Sequence, residues 1–189
     1  MAVDPLAIFH EWFDEARAAG VEAPEVMTVA TADADGRPSA RMLLLKSADE
    51  RGFTFFTGYE SRKGRELAEN PHAALVFYWR PLGRQVRVEG SVRRLSPEES
   101  DAYWATRPPR SQAAAAASRQ GEPIESRETL EAEFQAQLAL DEVQRPARWG
   151  GYVLEPDAIE LWQHRDDRLH ERIRFTRARE GWRSELLAP

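Results

Sequence analysis

The sequence of 189 residues contains no cysteine, and this absence excludes disulfide bonds, thiolate nucleophiles, zinc ribbons and iron–sulfur clusters held by cysteine. It also lacks a long hydrophobic run. The longest apolar stretch, 73–79, is far shorter than the roughly 20 residues that cross a bilayer, so no membrane span is predicted. The segment Met1–Pro5 shows no basic stretch followed by an apolar one. Without a secretory signal, a cytoplasmic location is expected.

Lysine is nearly absent from the chain. Of its 26 basic residues 24 are arginine, and only Lys46 and Lys63 are lysine. Because lysine is a compact point charge and arginine a planar fork, these two lysines are candidates for positions where that difference matters. The formal net charge of −6 disfavours general nucleic-acid binding but leaves a local anion site open.

Several common catalytic and nucleotide-binding motifs are missing as well. The four histidines do not show the H-E-x-x-H spacing of zinc hydrolases, and no metal site is predicted. The G-x-S-x-G elbow of serine hydrolases is absent. Neither G-x-G-x-x-G nor G-x-x-x-x-G-K-[ST] occurs, so a Rossmann or P-loop site has no support. The remaining candidates are residues that bind anions and planar ligands.

Hydrophobic patterning predicts one α+β domain over 1–189. Hairpin-linked strands come first, helices are inserted after them, and short strands return near the C-terminus. This order indicates an antiparallel sheet or barrel rather than alternating βαβ units. The predicted strands are 26–31, 40–45, 53–57, 73–79, 85–95, 151–154, 159–162, 173–176 and 182–187. The predicted helices are 4–19, 61–70, 96–106, one from 111, and one over 126–140.

Two candidate clusters carry the two lysines. Arg41 and Lys46 bracket an apolar strand, and their odd separation predicts opposite faces, roughly 17 Å apart. They would serve different anionic groups or different subunits, or else be solvated strand ends. Thr57 and the run Ser61–Gly64 bring a hydroxyl, two cations and backbone N–H groups to a helix N-terminus. That combination is typical of a phosphate site, and the alternative is a capped surface helix.

Two further clusters lie on a strand and at a helix end. The side chain of Gln85, pointing away from the apolar side chains of its strand, can hydrogen-bond the edge of a planar heterocycle or face solvent. Tyr103 and Arg107 are four residues apart and so share a helix face, and Ser111 is expected to cap the next helix. A phenol, a guanidinium and a hydroxyl in this arrangement can converge on a phosphate.

The last cluster is the run 168–172. If it is extended, Arg168, His170 and Arg172 share one face and Glu171 points the other way. Cationic groups on one face repel each other unless anions or acidic side chains compensate them. The pattern therefore favours a strand that faces a ligand, with salt bridges to the chain's acidic residues as the alternative.

In this order, the clusters resemble the pyridoxamine 5'-phosphate oxidase family, FMN-dependent oxidases of the split-barrel fold. The resemblance covers about 4–189. The stretches that carry it are Arg41–Lys46, Ser61–Lys63, Arg84–Val86, Arg107–Gln112, Trp149–Gly151, Trp162–Gln163, Arg168–Arg172 and Leu187–Pro189. It implies an antiparallel split β-barrel with peripheral helices, and a homodimer with FMN at the subunit interface.

The resemblance also implies roles for individual residues. FMN binding would involve Arg41, Met42, Leu43, Leu44, Leu45, Lys46, Phe56, Thr57, Arg62, Lys63, Gln85, Gln120, Gly121, Trp162 and Arg172. Within that set, Arg62 and Lys63 would hold the FMN phosphate. The substrate phosphate would contact Lys46, Tyr103, Arg107 and Ser111. Arg168 and His170 would be the catalytic pair, holding the substrate's pyridine ring over the flavin.

The implied activity is oxidation of pyridoxamine 5'-phosphate or pyridoxine 5'-phosphate to pyridoxal 5'-phosphate, with O2 as acceptor and H2O2 as product. Phe56 stands where the family often has tyrosine, and Gly121 where serine is common. Both departures concern FMN contacts rather than the reaction type. The alternatives are a split-barrel relative with another substrate, such as a phenazine precursor, and a flavin-binding protein without catalysis. Nucleic-acid binding through the arginine-rich segment 165–183 is opposed by the net charge.

Overall fold

The computed structural model describes residues 3–189, which form five α-helices and nine β-strands. The helices are α1 (Pro5–Ala18), α2 (Arg62–Glu69), α3 (Pro97–Ala105), α4 (Pro109–Ala117) and α5 (Arg127–Leu138). The strands are β1 (Val26–Ala32), β2 (Pro38–Leu44), β3 (Ser47–Asp49), β4 (Gly52–Gly58), β5 (His72–Trp79), β6 (Arg84–Arg94), β7 (Trp149–Gln163), β8 (Glu171–Arg177) and β9 (Trp182–Leu186). The predicted order of hairpin strands, inserted helices and returning strands is confirmed.

Helix starts follow the capping signals in the sequence. The Asp4 side chain accepts a hydrogen bond from the Leu6 N–H at 3.0 Å and begins α1. Ser96 and Glu99 form a capping box at the start of α3, which satisfies two N–H groups that the helix itself cannot pair. Ser126 caps α5. Over residues 3–189, no helix combines the length and apolarity needed to cross a membrane.

All sheet pairings are antiparallel, and the strand order is β2-β1-β5-β6-β7-β4-β3, with β8 and β9 added beside β7. The long strand β7 makes the sheet branch. It pairs along its length with β6, while on its other side residues 149–154 pair with β4 and residues 158–163 pair with β8. The sheet therefore divides at β7, and the expected antiparallel α+β architecture is confirmed.

The prediction of two separate strands at 151–154 and 159–162 is wrong, because β7 continues through Pro156. A proline lacks the N–H that a ladder needs, but the register shifts by one residue opposite it, between Glu89 and Gly90. A side chain at Gly90 would lie 2.0 Å from the Glu155 carbonyl oxygen. The glycine thus lets β6 pass close to β7 at the irregular position, and the strand does not break.

Three smaller boundaries also differ from the predictions. The short strand β3 was not predicted. Strand β2 ends at Leu44, so Lys46 lies outside it. Helix α4 begins at Pro109 with Pro108 as N-cap, and Ser111 lies inside the helix instead of capping it. A proline at the first helical position has its φ preset for the helix and needs no N–H partner, so the proline pair that ends α3 also starts α4.

Two apolar cores position the candidate residues. The larger one lies between α1 and the inner face of the sheet and includes Phe9, Phe77 and Trp79. The smaller one consists of Trp104, Val143 and Trp149, and the Trp104 indole N–H donates to the Val143 carbonyl at 2.8 Å. This second core attaches α3 and α4 to the first residues of β7. It therefore builds one wall of the cavity that contains the predicted phosphate residues.

Candidate active site

A cavity of about 550 Å³ lies between the ends of β2 and β4, the helices α3 and α4, and the loop after α4. It brings together residues that are far apart in the sequence. The predicted site residues that line it are Leu44, Lys46, Phe56, Thr57, Tyr103, Arg107, Ser111 and Gln120. All four residues expected at the substrate phosphate are among them. We call this space the Arg107 cavity.

Arg107 is a cation held by aromatic faces instead of a carboxylate. Its guanidinium lies over the rings of Trp149, at 4.5 Å, and Trp104, at 5.0 Å, and its Nη2 donates to the Ser111 carbonyl at 2.9 Å. Its buried Nη1 finds no hydrogen-bond partner within residues 3–189. Burial lowers the pKa of Arg107, against the raising influence of Tyr103. A buried donor left open in this way is suited to an anionic ligand.

A stack of aromatic rings forms the wall next to Arg107. The Phe56 and Tyr103 rings lie 3.8 Å apart between centroids and 17° from parallel. The Phe56 and Trp149 rings are 5.5 Å apart and 19° from parallel. The Tyr103 and Trp149 rings are 6.3 Å apart, so the three rings contact one another in a triangle in which Phe56 is the nearest neighbour of both. Because phenylalanine has the same ring as tyrosine, the departure from the family pattern leaves this stack intact.

A second cationic site adjoins the cavity at the start of α2. The buried Lys63 ammonium donates to the hydroxyl oxygens of Thr57 at 2.9 Å and Ser61 at 3.1 Å. The Thr57 hydroxyl in turn donates to the Gln120 side-chain oxygen at 2.8 Å. Burial and the charge of Arg41 lower the pKa of Lys63 to about 8, although Glu66 opposes the shift. We call Thr57, Ser61 and Lys63 the Lys63 cradle.

The cradle continues into a buried ionic network centred on Glu66. Its carboxylate accepts hydrogen bonds from Thr31, from Ser39 and from the Arg62 Nε, and lies 3.4 Å from Arg41 Nη2. Burial alone would raise its pKa, but the hydrogen bonds from Ser39, Thr31 and Arg62 and the charge of Arg41 lower the pKa of Glu66 to about 2. Glu66 is therefore ionised throughout the neutral range. Arg41, which was expected to share a strand with Lys46, lies in this network and not in the cavity.

The other predicted FMN residues lie on the outward face of the sheet. Strand register places Gln85 opposite Trp162, and Trp162 opposite Arg172. Since directly opposed residues point to the same side, these three side chains form one row. The buried Glu160 accepts from the Arg172 Nε at 2.9 Å and holds its guanidinium against the strand. The same face carries exposed apolar side chains, namely Met42, Leu44 and Tyr78.

The extended arrangement expected for Arg168, His170 and Arg172 is wrong. Only Arg172 lies in a strand, whereas Arg168 lies in a bend with φ of +68°. That left-handed conformation strains a residue with a Cβ and often marks a functional position. The His170 Nδ1 accepts the Arg165 backbone N–H at 3.1 Å, and its ring lies 4.8 Å from that of Trp162. The bend thus places His170 beside the row of predicted FMN residues.

The remaining predicted FMN residues differ in how far their side chains are exposed. Leu45 is buried and Leu43 packs against the main core, so ligand contact at these positions is left to the backbone. Gly121 has a φ of +87°, which glycine adopts more readily than the serine common in the family. Leu44 both lines the Arg107 cavity and stands on the outward face, so the two regions meet there.

Two acidic residues of the site were missed from the sequence. Glu66 is four residues after Arg62 on α2, and that helical spacing was a usable signal for an ion pair. Glu160 offered no local signal, since it meets Arg172 only through the pairing of β7 with β8. In the part of the chain that the structure describes, no group of three histidine, aspartate or glutamate side chains is arranged to hold a metal ion.

Two family models together match most of the chain. The family model described as pyridoxamine 5'-phosphate oxidase matches residues 13–140, and one described as the pyridoxine 5'-phosphate oxidase C-terminal dimerisation region matches residues 149–189. The chain belongs to the pyridoxamine 5'-phosphate oxidase family. The chain is 55% identical to the pyridoxine/pyridoxamine 5'-phosphate oxidase of Burkholderia vietnamiensis, over 100% of this chain and 90% of that protein. It is 54% identical to that of Rubrobacter xylanophilus, over 98% and 87%.

Solved structures of similar proteins confirm the fold. The crystal structure of PhzG from Burkholderia lata 383, in complex with tetrahydrophenazine-1-carboxylic acid, superposes with a TM-score of 0.95 at 38% identity, over 98% of this chain and 93% of that one. A pyridoxamine 5'-phosphate oxidase-related, FMN binding protein of Nostoc punctiforme superposes with a TM-score of 0.79 at 18% identity, over 97% and 96%. The split-barrel expectation is confirmed. The family description also supports the expected dimer.

Proposed function

We propose that this protein is an FMN-dependent oxidase that converts pyridoxamine 5'-phosphate or pyridoxine 5'-phosphate to pyridoxal 5'-phosphate, with O2 as acceptor and H2O2 as product. The names of full-length relatives at 54–55% identity support the oxidase assignment. The observation that carries the substrate class is the buried Arg107 Nη1, which has no hydrogen-bond partner among residues 3–189 and belongs to a side chain that lines one cavity with Lys46, Tyr103 and Ser111. Such a site fits a phosphorylated substrate.

The residues of the Lys63 cradle fit the phosphate of FMN. A buried ammonium, two hydroxyls and the N-terminus of α2 meet there, and each is a group that binds phosphate. Arg62, at the first position of α2, adds a guanidinium of which only Nε is engaged by Glu66. FMN bound here would supply the redox chemistry, taking a hydride from the substrate C4' and passing electrons to O2.

In this proposal the chain's own residues bind and orient the substrate. Arg107, Tyr103, Ser111 and Lys46 hold its phosphate in the cavity. His170 accepts a backbone N–H at Nδ1, so its neutral ring carries the proton at Nε2 and can donate one hydrogen bond to the substrate ring. Arg168, exposed at the tip of the same bend, adds a cation on that side.

A second copy of the chain is needed to complete each site. Trp162, Arg168, His170 and Arg172 all lie in the region matched by the dimerisation model, residues 149–189. The outward sheet face that carries Gln85, Trp162 and Arg172 also exposes apolar side chains, among them Met42 at 60% and Tyr78 at 58%. Covering this face with a partner would bury those side chains and bring the second set of residues to the edge of the Arg107 cavity.

The first experiment is anaerobic. Protein loaded with FMN is mixed with pyridoxine 5'-phosphate, and the visible flavin absorbance is followed. Bleaching that reverses on admitting air is expected, whereas a flavin band that stays oxidised with both phosphorylated substrates contradicts the proposal. Unphosphorylated pyridoxine is the control and should react far more slowly.

The high structural similarity to PhzG makes a phenazine precursor the second candidate substrate. The same anaerobic assay with tetrahydrophenazine-1-carboxylic acid separates the two. If this compound bleaches the flavin faster than the phosphorylated vitamers do, the substrate assignment changes while the cofactor assignment stands.

A further inference from the structure

Glu66 is an acidic residue at a site where an anion is proposed to bind. It is buried, it is ionised, and it lies on α2 one turn after Arg62. A carboxylate beside a phosphate site would ordinarily weaken phosphate binding by charge repulsion. Its contacts explain how it can have the opposite effect.

The carboxylate holds two arginines from different elements. It accepts from the Arg62 Nε at 2.8 Å, which leaves both terminal amino groups of that guanidinium for another ligand. It contacts Arg41 Nη2 directly at 3.4 Å and also through two hydroxyls. Arg41 donates to the hydroxyls of Thr31 and Ser39, and each hydroxyl donates onward to Glu66.

The network also sets the local charge. Arg41, Arg62 and Lys63 are three cations around one carboxylate, which leaves a net local charge of about +2 when all are ionised. A phosphate monoester carries about −1.5 to −2 at neutral pH. The cluster is therefore close to neutral when it holds such a phosphate. Without Glu66, the three cations would repel one another more strongly.

We propose that Glu66 is a positioning residue for the phosphate of the bound flavin, acting through Arg62 and Arg41. Because Arg62 is 64% exposed and on a long side chain, its orientation would otherwise be free. Glu66 fixes the guanidinium by its Nε edge and leaves the two terminal amino groups for the phosphate. This inference rests on the proposed function, since it concerns the same cofactor site.

Flavin titration tests the proposal without turnover. Dissociation constants for FMN and for riboflavin, which lacks the phosphate, are measured by quenching of flavin fluorescence in the wild-type protein and in Glu66→Gln. The expected result is a loss of FMN affinity of roughly tenfold, the size of one charge-assisted hydrogen bond, with riboflavin affinity unchanged. The matched control is Glu69→Gln, which removes the same charge from an exposed position on the same helix and should change neither constant.

Two more variants separate positioning from general stabilisation. In an Arg62→Met background, Glu66→Gln should lose much of its effect on FMN, because one of the two arginines through which it acts is gone. Glu66→Asp keeps the charge but shortens the side chain, and it should weaken FMN binding by a smaller factor; it also serves if Glu66→Gln does not fold.

The outcomes are distinct. Unchanged or tighter FMN binding in Glu66→Gln, or an equal loss for FMN and riboflavin, overturns the role of Glu66 and leaves the proposed function standing. A wild-type protein that does not bind FMN overturns both.

Discussion

The Lys63 cradle and the Arg107 cavity are both cationic, but they stabilise their cations in opposite ways. Lys63 has an internal counter-ion nearby, Glu66, and donates to the hydroxyls of Thr57 and Ser61. The Arg107 guanidinium packs against the rings of Trp104 and Trp149 and keeps one donor unpaired in the part of the chain that is described. The first arrangement holds its cation in place with hydrogen bonds from within the chain, which suits a cofactor that stays. The second gains its missing partner only with a ligand, which suits a substrate that must leave as product.

The largest effect is expected at the cavity. Arg107→Met removes the cation with the open donor and should reduce kcat/KM for pyridoxine 5'-phosphate by roughly 150-fold, equivalent to about 3 kcal/mol, while FMN affinity stays the same. Steady-state kinetics and flavin titration measure the two effects. Arg110→Met, an exposed arginine three residues on, is the control. Unchanged turnover of pyridoxine 5'-phosphate by Arg107→Met would contradict the proposed substrate.

Removing the cation of the Lys63 cradle should have a smaller effect, and on FMN instead of the substrate. Lys63→Ala removes the buried ammonium and should weaken FMN binding by roughly 30-fold, equivalent to about 2 kcal/mol, with little change in KM once the flavin is saturating. Flavin fluorescence titration measures the affinity. Arg65→Ala, exposed on the same helix, is the control. If Lys63→Ala affected substrate and cofactor equally, the two sites would not be separate in function.

Substitution of Arg168 should impair substrate binding, as expected for the Arg107 cavity, and should leave FMN binding unchanged, unlike a substitution in the Lys63 cradle. Arg168→Ala should raise the substrate KM by roughly tenfold without loss of FMN, since its contact is with the substrate ring in the proposed site. Arg168→Gly should lose the same activity but be more stable than the alanine variant by about 1 kcal/mol, because glycine adopts a φ of +68° without strain. Urea unfolding compares the two proteins. Equal stabilities of the alanine and glycine variants would contradict backbone strain at residue 168.

The smallest effect concerns pH. Lys63 is charged below its pKa of about 8 and neutral above it. A bound phosphate favours the charged form, so FMN affinity should fall as pH rises from 7 to 9, by at most about tenfold over that range. Lys63→Arg keeps its charge over this range and should remove that dependence. A parallel fall in both proteins would assign the pH dependence to another group.

Local signals predicted the fold better than they predicted the contacts. The Ser96 and Glu99 capping box lies within four residues, and the spacing of Tyr103 and Arg107 is set by one helix, so both could be read from the sequence. The continuity of β7 depends on Gly90, which meets Pro156 only in the folded sheet. The backbone of Arg168 depends on a bend held partly by the ion pair between Arg165 and Glu171.

The candidate site was predictable only as a set of residues. The sequence and the family resemblance named its members, and the structure collects eight of them in one cavity. The sequence could not indicate that Arg41 belongs to the Glu66 network, because that network joins β1, β2 and α2 through side chains that are distant in sequence. The roles assigned to individual residues and the single domain over 1–189 stay predictions.

The branching of the sheet at β7 has a consequence for how the protein is made. Strand β4 leaves the ribosome early, yet its neighbour β7 is synthesised only after four α-helices and two strands have followed. Until then the apolar ring of Phe55 lacks Tyr152, the β7 residue on which it stacks in the folded protein. Closing so long a loop is slow, and exposed strand edges invite association with other chains. The nascent protein should therefore depend on chaperones until Gln163 has emerged, and a chain truncated before β7 should aggregate instead of forming half a barrel.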